Sequence, residues 1–234
     1  MTKVTFLGAG NIAFAIAGGL ISNGHDPSTV VAADPAASQL ARFDEAGVRT
    51  TTDNRDAVAG ADVILLTVKP TIVEPVARDL EGHTGNAVVI SVAAGITLNS
   101  LSNWLGNTAA IVRCMPNTPA LVRQGITGAM AGESVTAHHL KLATEVLTSV
   151  GDLIWVDEEK DLDAVTAISG SGPAYHFLVM ELMAKAATNL GLSERVARQL
   201  VVKTALGAAT MVIDGTEDIG AQRKAVTSPG GTTA

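Results

Sequence analysis

A chain of 234 residues, 47% of them apolar, is long enough to bury a substantial core as one large domain or two modest ones. A formal net charge of −7 and a pI near 5.1 argue against DNA or RNA as a ligand, and an aromatic content of 3% leaves few platforms for base stacking. A single cysteine, Cys114, excludes an internal disulfide and fits a reducing compartment.

In chain order, short apolar runs alternate with helical stretches. Strands are predicted over Lys3–Leu7, Thr29–Ala33, Val63–Val68, Ala87–Val92 and Ala109–Met115, with helices between them over Asn11–Ser22, Ala36–Glu45, Ile72–Leu80 and Leu98–Trp104. The strand runs are apolar without strict alternation, as parallel strands covered on both faces are. Repeated strand–helix units imply an α/β, doubly wound, Rossmann-type sheet. Gly125–Met130 and Leu153–Val156 are further strand candidates, with a helix over Thr136–Ser149 between them.

Past the charge cluster Asp157–Asp161 no strand pattern remains. Pro173 suits the first residue of a helix running to about Leu190. Ser193 suits the N-cap of a second helix ending near Ile213. Both are apolar on most faces and need burial, which the segment 159–234 cannot supply alone. The reading is therefore a dinucleotide-binding domain over 1–158 and an all-helical dimerisation and substrate domain over 159–234. No apolar run reaches the roughly 18 residues that span a bilayer, and Val4–Leu7 is too short for an apolar targeting core. The expectation is a soluble, cytoplasmic homo-oligomer with no nucleic-acid or membrane partner.

Gly8-x-Gly10-x-x-Ala13 follows a strand and opens a helix. Gly8 permits a tight turn, Gly10 a close approach to a pyrophosphate, and Ala13 close packing of helix on strand. Asn11 and Ile12 complete the turn, and the helix N-terminus presents free N–H groups to the phosphates. Asp34, at the end of the second strand, reads either as an acceptor for ribose hydroxyls, favouring NAD(H), or as a helix cap before Pro35. Ser38, Gln39 and Arg42 are nearby candidates for a 2′-phosphate. Val68-Lys69-Pro70 ends a strand where a lysine either contacts coenzyme or is solvated. Ala93-Ala94-Gly95 ends the next strand with residues small enough to admit a nicotinamide ring or simply to pack. Asn117, in Met115-Pro116-Asn117-Thr118-Pro119, either orients substrate or makes a turn. Ser171, between Gly170 and Gly172, either touches substrate or caps a helix, because no histidine–acid pair is present to activate it. No metal is predicted: His138 and His139 are adjacent and diverge on a helix, and His25, His83 and His176 are isolated. The tail, Val226-Thr227-Ser228-Pro229-Gly230-Gly231-Thr232-Thr233, gathers hydroxyls and backbone N–H groups suited to a small carboxylate.

Taken together, Gly8–Ala13, Val68–Pro70, Ala93–Gly95, Arg113–Pro119, Ser169–Tyr175 and Val226–Thr233 resemble the pyrroline-5-carboxylate reductase family, which catalyses the last step of proline synthesis. The resemblance covers essentially the whole chain and implies a small-molecule substrate reduced at its C=N bond by NADP(H), with NAD(H) as the alternative. It also implies a helical domain interlocked with a second subunit. Asn54 and Lys69 match coenzyme-contacting positions. Thr233 matches the threonine that hydrogen-bonds the ring nitrogen, and Ser228, Gly231 and Thr232, with Gly230, match the carboxylate cradle. Family members continue past the Gly-Gly-x-Thr turn with further helix, so the C-terminus is expected to be incomplete. Two other readings remain open at this stage. One is a 3-hydroxy-acid dehydrogenase, for which Lys160 or Lys185 would be the base; the other is a nucleotide-binding regulatory module without turnover.

Overall fold

The computed structural model describes residues 1–228 and 230–231. Its first compact unit is Met1–Pro173 and its second begins at Ala174. The first unit is a strand–helix alternation: β1 (Val4–Leu7), α1 (Asn11–Ser22), β2 (Val30–Ala33), α2 (Ala37–Glu45), β3 (Arg49–Thr51), α3 (Asn54–Val58), β4 (Val63–Leu66), α4 (Val73–Asp79), β5 (Val88–Ser91), α5 (Leu98–Leu105), β6 (Ala110–Met115), β7 (Gly125–Ala131), α6 (Ala137–Leu147), β8 (Gly151–Trp155) and α7 (Asp161–Val165).

The sheet runs β3-β2-β1-β4-β5-β6-β7-β8. Strands β1 to β6 pair in parallel, β7 turns antiparallel to β6, and β8 pairs in parallel with β7. Side chains alternate between the two faces, and both faces are apolar. Val4, Phe6, Val63 and Leu65 pack in one buried cluster with Ile16 and Phe43 of the covering helices. Leu7, Ile64 and Leu66 pack in the other with Val73, Ala77 and Leu101. Strand order reverses between β1 and β4. In an open α/β sheet that reversal leaves a crevice beyond the carboxyl ends of the strands.

Two edge elements lie outside the sequence expectation: β3, which pairs with β2 in register Val31↔Arg49 to Ala33↔Thr51, and the one-turn α3, capped by Asp53 accepting from the N–H groups of Arg55 and Asp56. The segment after the charge cluster is also more structured than expected. Helix α7 widens into a π-type turn over Thr166–Gly170 and only then becomes α8 (Gly172–Asn189).

Beyond α8 come α9 (Glu194–Asp214) and α10 (Ile219–Ala225). Ser193 caps α9 as the sequence suggests, accepting from the Val196 N–H. The second unit leaves a band of large apolar side chains exposed, including Tyr175, Phe177 and Leu182 on α8 and Leu200, Leu206 and Met211 on α9. By length and composition alone α9 reaches what a bilayer crossing needs. That corrects the expectation that no stretch is long enough: a stretch of spanning length in α9 is apolar on average although Arg198 and Lys203 stand within it.

Candidate functional site

Because β1, β2, β4, β5 and β6 are parallel, their carboxyl ends deliver Gly8, Asp34, Lys69, Ala93 and Asn117 to one edge of the sheet. Asn54 opens α3 just after β3 and so belongs to the same edge. Most of the residues that sequence reasoning assigns to the coenzyme therefore lie along one rim.

The turn after β1 is built to stay open. Gly8 has φ +98, a conformation L side chains rarely adopt, and a Cβ there would stand 2.9 Å from the Thr67 backbone and 2.8 Å from Val68 Cγ1. The Gly8 N–H donates to the Ala33 carbonyl at 2.8 Å. From the other side the Thr67 hydroxyl donates to the carbonyls of Leu7 (2.9 Å) and Gly8 (2.6 Å). At Gly10 a Cβ would meet nothing within 4 Å. Gly10 is the N-cap of α1 in extended conformation, with no side-chain cap bond. The first N–H groups of α1 have no partner inside the helix and face the open space beside Gly10. A helix start with unpaired donors and a Cβ-free approach suits a pyrophosphate. The fit supports a dinucleotide at this turn.

Asp34 engages backbone with both carboxylate oxygens: Oδ2 accepts from the Ala9 N–H and Oδ1 from the Ala36 N–H, each at 2.9 Å. The N-cap of α2 is Ala36 and not Asp34, so the cap reading is corrected: Asp34 braces the glycine turn and the chain just before the helix. Arg42, entertained as a 2′-phosphate ligand, instead donates to the Ala9 carbonyl (2.6 Å) and to Asn11 Oδ1 (3.0 Å). Val68 is half-buried beside Gly8 and Pro70 opens the short turn after β4. Lys69 is exposed, with no side-chain hydrogen bond or ion pair among the described residues. Ile12 and Ala13 lie in the first turn of α1, Ala13 fully buried. Ala93 is buried while Ala94 and Gly95 (φ +76) stay exposed at the rim.

Asn117 is 9% exposed. Its Oδ1 accepts from the Ile126 N–H at 3.0 Å and its Nδ2 donates to the Ser169 carbonyl at 3.1 Å. Both ends of the amide tie the end of β6 to β7 and to the π-type turn. Ser171 closes that turn, its N–H donating to the Thr166 carbonyl at 2.8 Å. In the second unit Ser228 and Gly231 share a tight turn, with the Gly231 N–H donating to the Ser228 carbonyl at 2.9 Å and Gly230 at φ +73. Thr232 and Thr233, the expected cradle and ring-nitrogen partners, lie outside the described residues, as does Pro229.

Three functional features escape the sequence. Thr67 clasps the glycine turn but reads as one more strand residue. Arg42 is visible as a candidate, but its reach to the turn from a different helix is not. Glu159 Oε1 accepts from Arg113 Nη1 and from the Leu98 N–H, both at 2.7 Å, within a stretch that reads as a solvated charge cluster. Cys114 is buried and its thiol is pushed up to about 12 by desolvation, which makes it an unreactive packing group.

Residues 159–234 match the family model for pyrroline-5-carboxylate reductase dimerisation, and residues 3–95 match that for NADP oxidoreductase, coenzyme F420-dependent. The pyrroline-5-carboxylate reductase of Pseudomonas aeruginosa is 44% identical over 233 residues, covering 99% of this chain and 85% of that protein. Among solved structures, a pyrroline-5-carboxylate reductase from Coxiella burnetii superposes with a TM-score of 0.93 at 42% identity, covering 99% of this chain and 87% of the other. Plasmodium falciparum pyrroline carboxylate reductase, solved with NADP bound, gives a TM-score of 0.89 at 28% identity, covering 99% and 86%. With an open glycine turn at one end, a match to the family's dimerisation segment at the other and near-complete coverage between them, the chain belongs to the pyrroline-5-carboxylate reductase family.

Proposed function

We propose that this protein reduces the cyclic imine of pyrroline-5-carboxylate to L-proline with NADPH. The observation that carries the reading is 44% identity to a pyrroline-5-carboxylate reductase over 99% of the chain, on a fold whose glycine turn is shaped for the coenzyme. When bound, the coenzyme would supply the hydride that adds to the imine carbon, and the proton gained by the ring nitrogen comes from solvent.

The chain's own residues bind, orient and exclude. The Gly8–Ala13 turn holds the pyrophosphate on the N–H groups of α1. Asn54 and Lys69 contact the coenzyme beyond it. Ala93, Ala94 and Gly95 leave room for the ring. Ser228, Gly230, Gly231 and Thr232 form the cradle for the substrate carboxylate, with Ser171 as a further contact. Thr233 donates its hydroxyl to the ring nitrogen. A hydroxyl is too weak an acid to serve as the main proton source at neutral pH, so its contribution is orientation and hydrogen bonding. Asn117 acts by holding the turn that carries Ser171. The exposed apolar band of α8 and α9 pairs with a second copy of the chain, and the enzyme works as a cytoplasmic homo-oligomer.

The test is NADPH oxidation with pyrroline-5-carboxylate and, in parallel, a 3-hydroxy acid run in the oxidative direction. Turnover confined to the imine, with proline as product, is the expected result. Turnover of the hydroxy acid alone, or coenzyme binding with no turnover of either, rejects the assignment.

A further inference from the structure

We infer that Arg42 is a positioning residue for the coenzyme, clamping the phosphate-binding turn through Ala9 and Asn11 without itself binding phosphate. The inference rests on the reading of Gly8–Ala13 as a dinucleotide turn.

Arg42 lies on α2, far along the chain from that turn, yet its guanidinium reaches it with two nitrogens. Nη2 donates to the Ala9 carbonyl at 2.6 Å and Nη1 to Asn11 Oδ1 at 3.0 Å. The group is fixed in place by aromatic faces, its Cζ 4.8 Å from the Phe14 ring centroid and 5.7 Å from that of Phe43, contacts that hold a planar cation well. Its third nitrogen, Nε, is buried with no partner. A buried donor left unpaired is a net cost, and the side chain bears it while the other two nitrogens reach the turn.

Two consequences follow for a ligand. Ala9 is gripped on both sides, its N–H by Asp34 at 2.9 Å and its carbonyl by Arg42, so the peptide on the approach to Gly10 is preset. Second, a guanidinium only donates, so Asn11 must offer it the carbonyl oxygen, and the free end of that exposed amide is the NH2 group. Arg42 thereby turns Asn11 into a donor at the start of α1, where an anion is favoured by the unpaired helix N–H groups. A preset turn lowers the cost of ordering on binding. The clamp acts on the part of the site common to NADPH and NADH, and one N–H of each outer nitrogen of Arg42 is committed to that turn, so its effect falls on both coenzymes alike.

The test is fluorescence titration of the full chain with NADPH and with NADH, giving a Kd for each, with thermal melts to confirm folding. Arg42→Ala should raise both constants by the same factor, about tenfold for losing two charge-assisted hydrogen bonds that order the turn. Arg42→Lys keeps the charge but not the two-pronged reach, and should not restore affinity. Asn11→Ala, on the exposed first turn, probes the same link with little risk to the fold. Its effect and that of Arg42→Ala should be less than additive in the double variant. A rise confined to NADPH would make Arg42 a 2′-phosphate ligand, and rescue by Arg42→Lys would reduce its role to charge; either overturns the inference, as do unchanged constants or strict additivity. Failure of the unaltered protein to bind either coenzyme would instead reject the dinucleotide turn itself.

Discussion

Gly8 and Gly10 sit two residues apart in one turn, yet alanine should act on them in opposite ways. At Gly8 the backbone has φ +98, which costs an L residue roughly 1–2 kcal/mol. The added Cβ would also press on the Thr67 backbone at 2.9 Å. Thr67 cannot give way, because its N–H donates to the Leu7 carbonyl at 2.8 Å and its hydroxyl to the carbonyls of Leu7 and Gly8. Overpacking of that kind costs about 1–3 kcal/mol, so Gly8→Ala should lose about 2–5 kcal/mol of stability. Gly10 has φ −72 and ψ −177, conformations open to any residue, and no atom within 4 Å of a new Cβ. Alanine is a poorer N-cap than glycine, by roughly 0.5–1 kcal/mol, but it also restricts the unfolded chain by a similar amount. Gly10→Ala should therefore melt within about 0.5 kcal/mol of the parent, while its methyl occupies the space a pyrophosphate enters and weakens coenzyme binding by more than tenfold, or about 1.4 kcal/mol. Urea unfolding and coenzyme titration on both variants measure the two effects separately. Unimpaired coenzyme binding by Gly10→Ala would refute the placement of the phosphates at this turn, and a fully stable Gly8→Ala would refute the Thr67 wedge.

Glu159→Ala strands the Arg113 side chain, which is only 9% exposed, and removes the acceptor of the Leu98 N–H; because Glu159 itself is 30% exposed, a loss of about 2–3 kcal/mol is expected, toward the low end for a broken buried pair. Adding Arg113→Met should recover most of it by urea unfolding, and no recovery would mean that the charge is not the problem. Burial lifts the Cys114 thiol from 9.0 to about 12, so the folded state holds that proton more tightly than the unfolded chain. Its contribution is complete below pH 9 and is lost as pH rises toward 12. Cys114→Ala should flatten that part of the stability–pH curve, and an unchanged slope would contradict the burial argument. Leu182→Asp, on the exposed band of α8, should shift the protein toward monomer in sedimentation, whereas an unaltered assembly would place the subunit contact elsewhere.

How legible each element is follows from what signals it. Strands β1, β2, β4, β5 and β6 stand out because each is a mainly apolar run buried on both faces, with Thr5, Ser91 and Arg113 the exceptions. Strand β3 is three residues, Arg49-Thr50-Thr51, at a sheet edge; an edge strand with polar side chains carries no hydrophobic signature and is held by backbone pairing to β2. The π-type turn after α7 is equally silent, because its wide hydrogen bond, from the Ser171 N–H to the Thr166 carbonyl, leaves no periodicity of its own. At the site, Gly8 and Gly10 are readable because their role is local: a turn that needs a positive φ and an approach that needs no Cβ. Arg42 is not, since its partners Ala9 and Asn11 become neighbours only when α2 docks beside α1 on the sheet. Asn117 falls between: its position after a strand marks it as special, but only the fold reveals that Ile126 and Ser169 take both ends of its amide.

Asp34 shows how a local reading changes meaning once the fold is known. A carboxylate at the end of the second strand is associated with ribose hydroxyls and hence with the unphosphorylated dinucleotide, and on sequence grounds that leans toward NADH. In the folded chain the position of the carboxylate is set by the backbone, because Ala9 and Ala36 need acceptors for N–H groups in a turn and at a helix entry where no main-chain partner is at hand. An acid fixed by two peptide donors has its orientation and part of its charge committed before any ligand arrives. Asp34 belongs to the architecture of the glycine turn, its two oxygens accepting from Ala9 and Ala36, so its presence alone does not decide between the two coenzymes. Ser38 and Gln39, exposed near the start of α2, and Asn54 at the start of α3 have side chains with no hydrogen-bond partner among the described residues, and substituting them while titrating NADPH and NADH tests whether they set the preference.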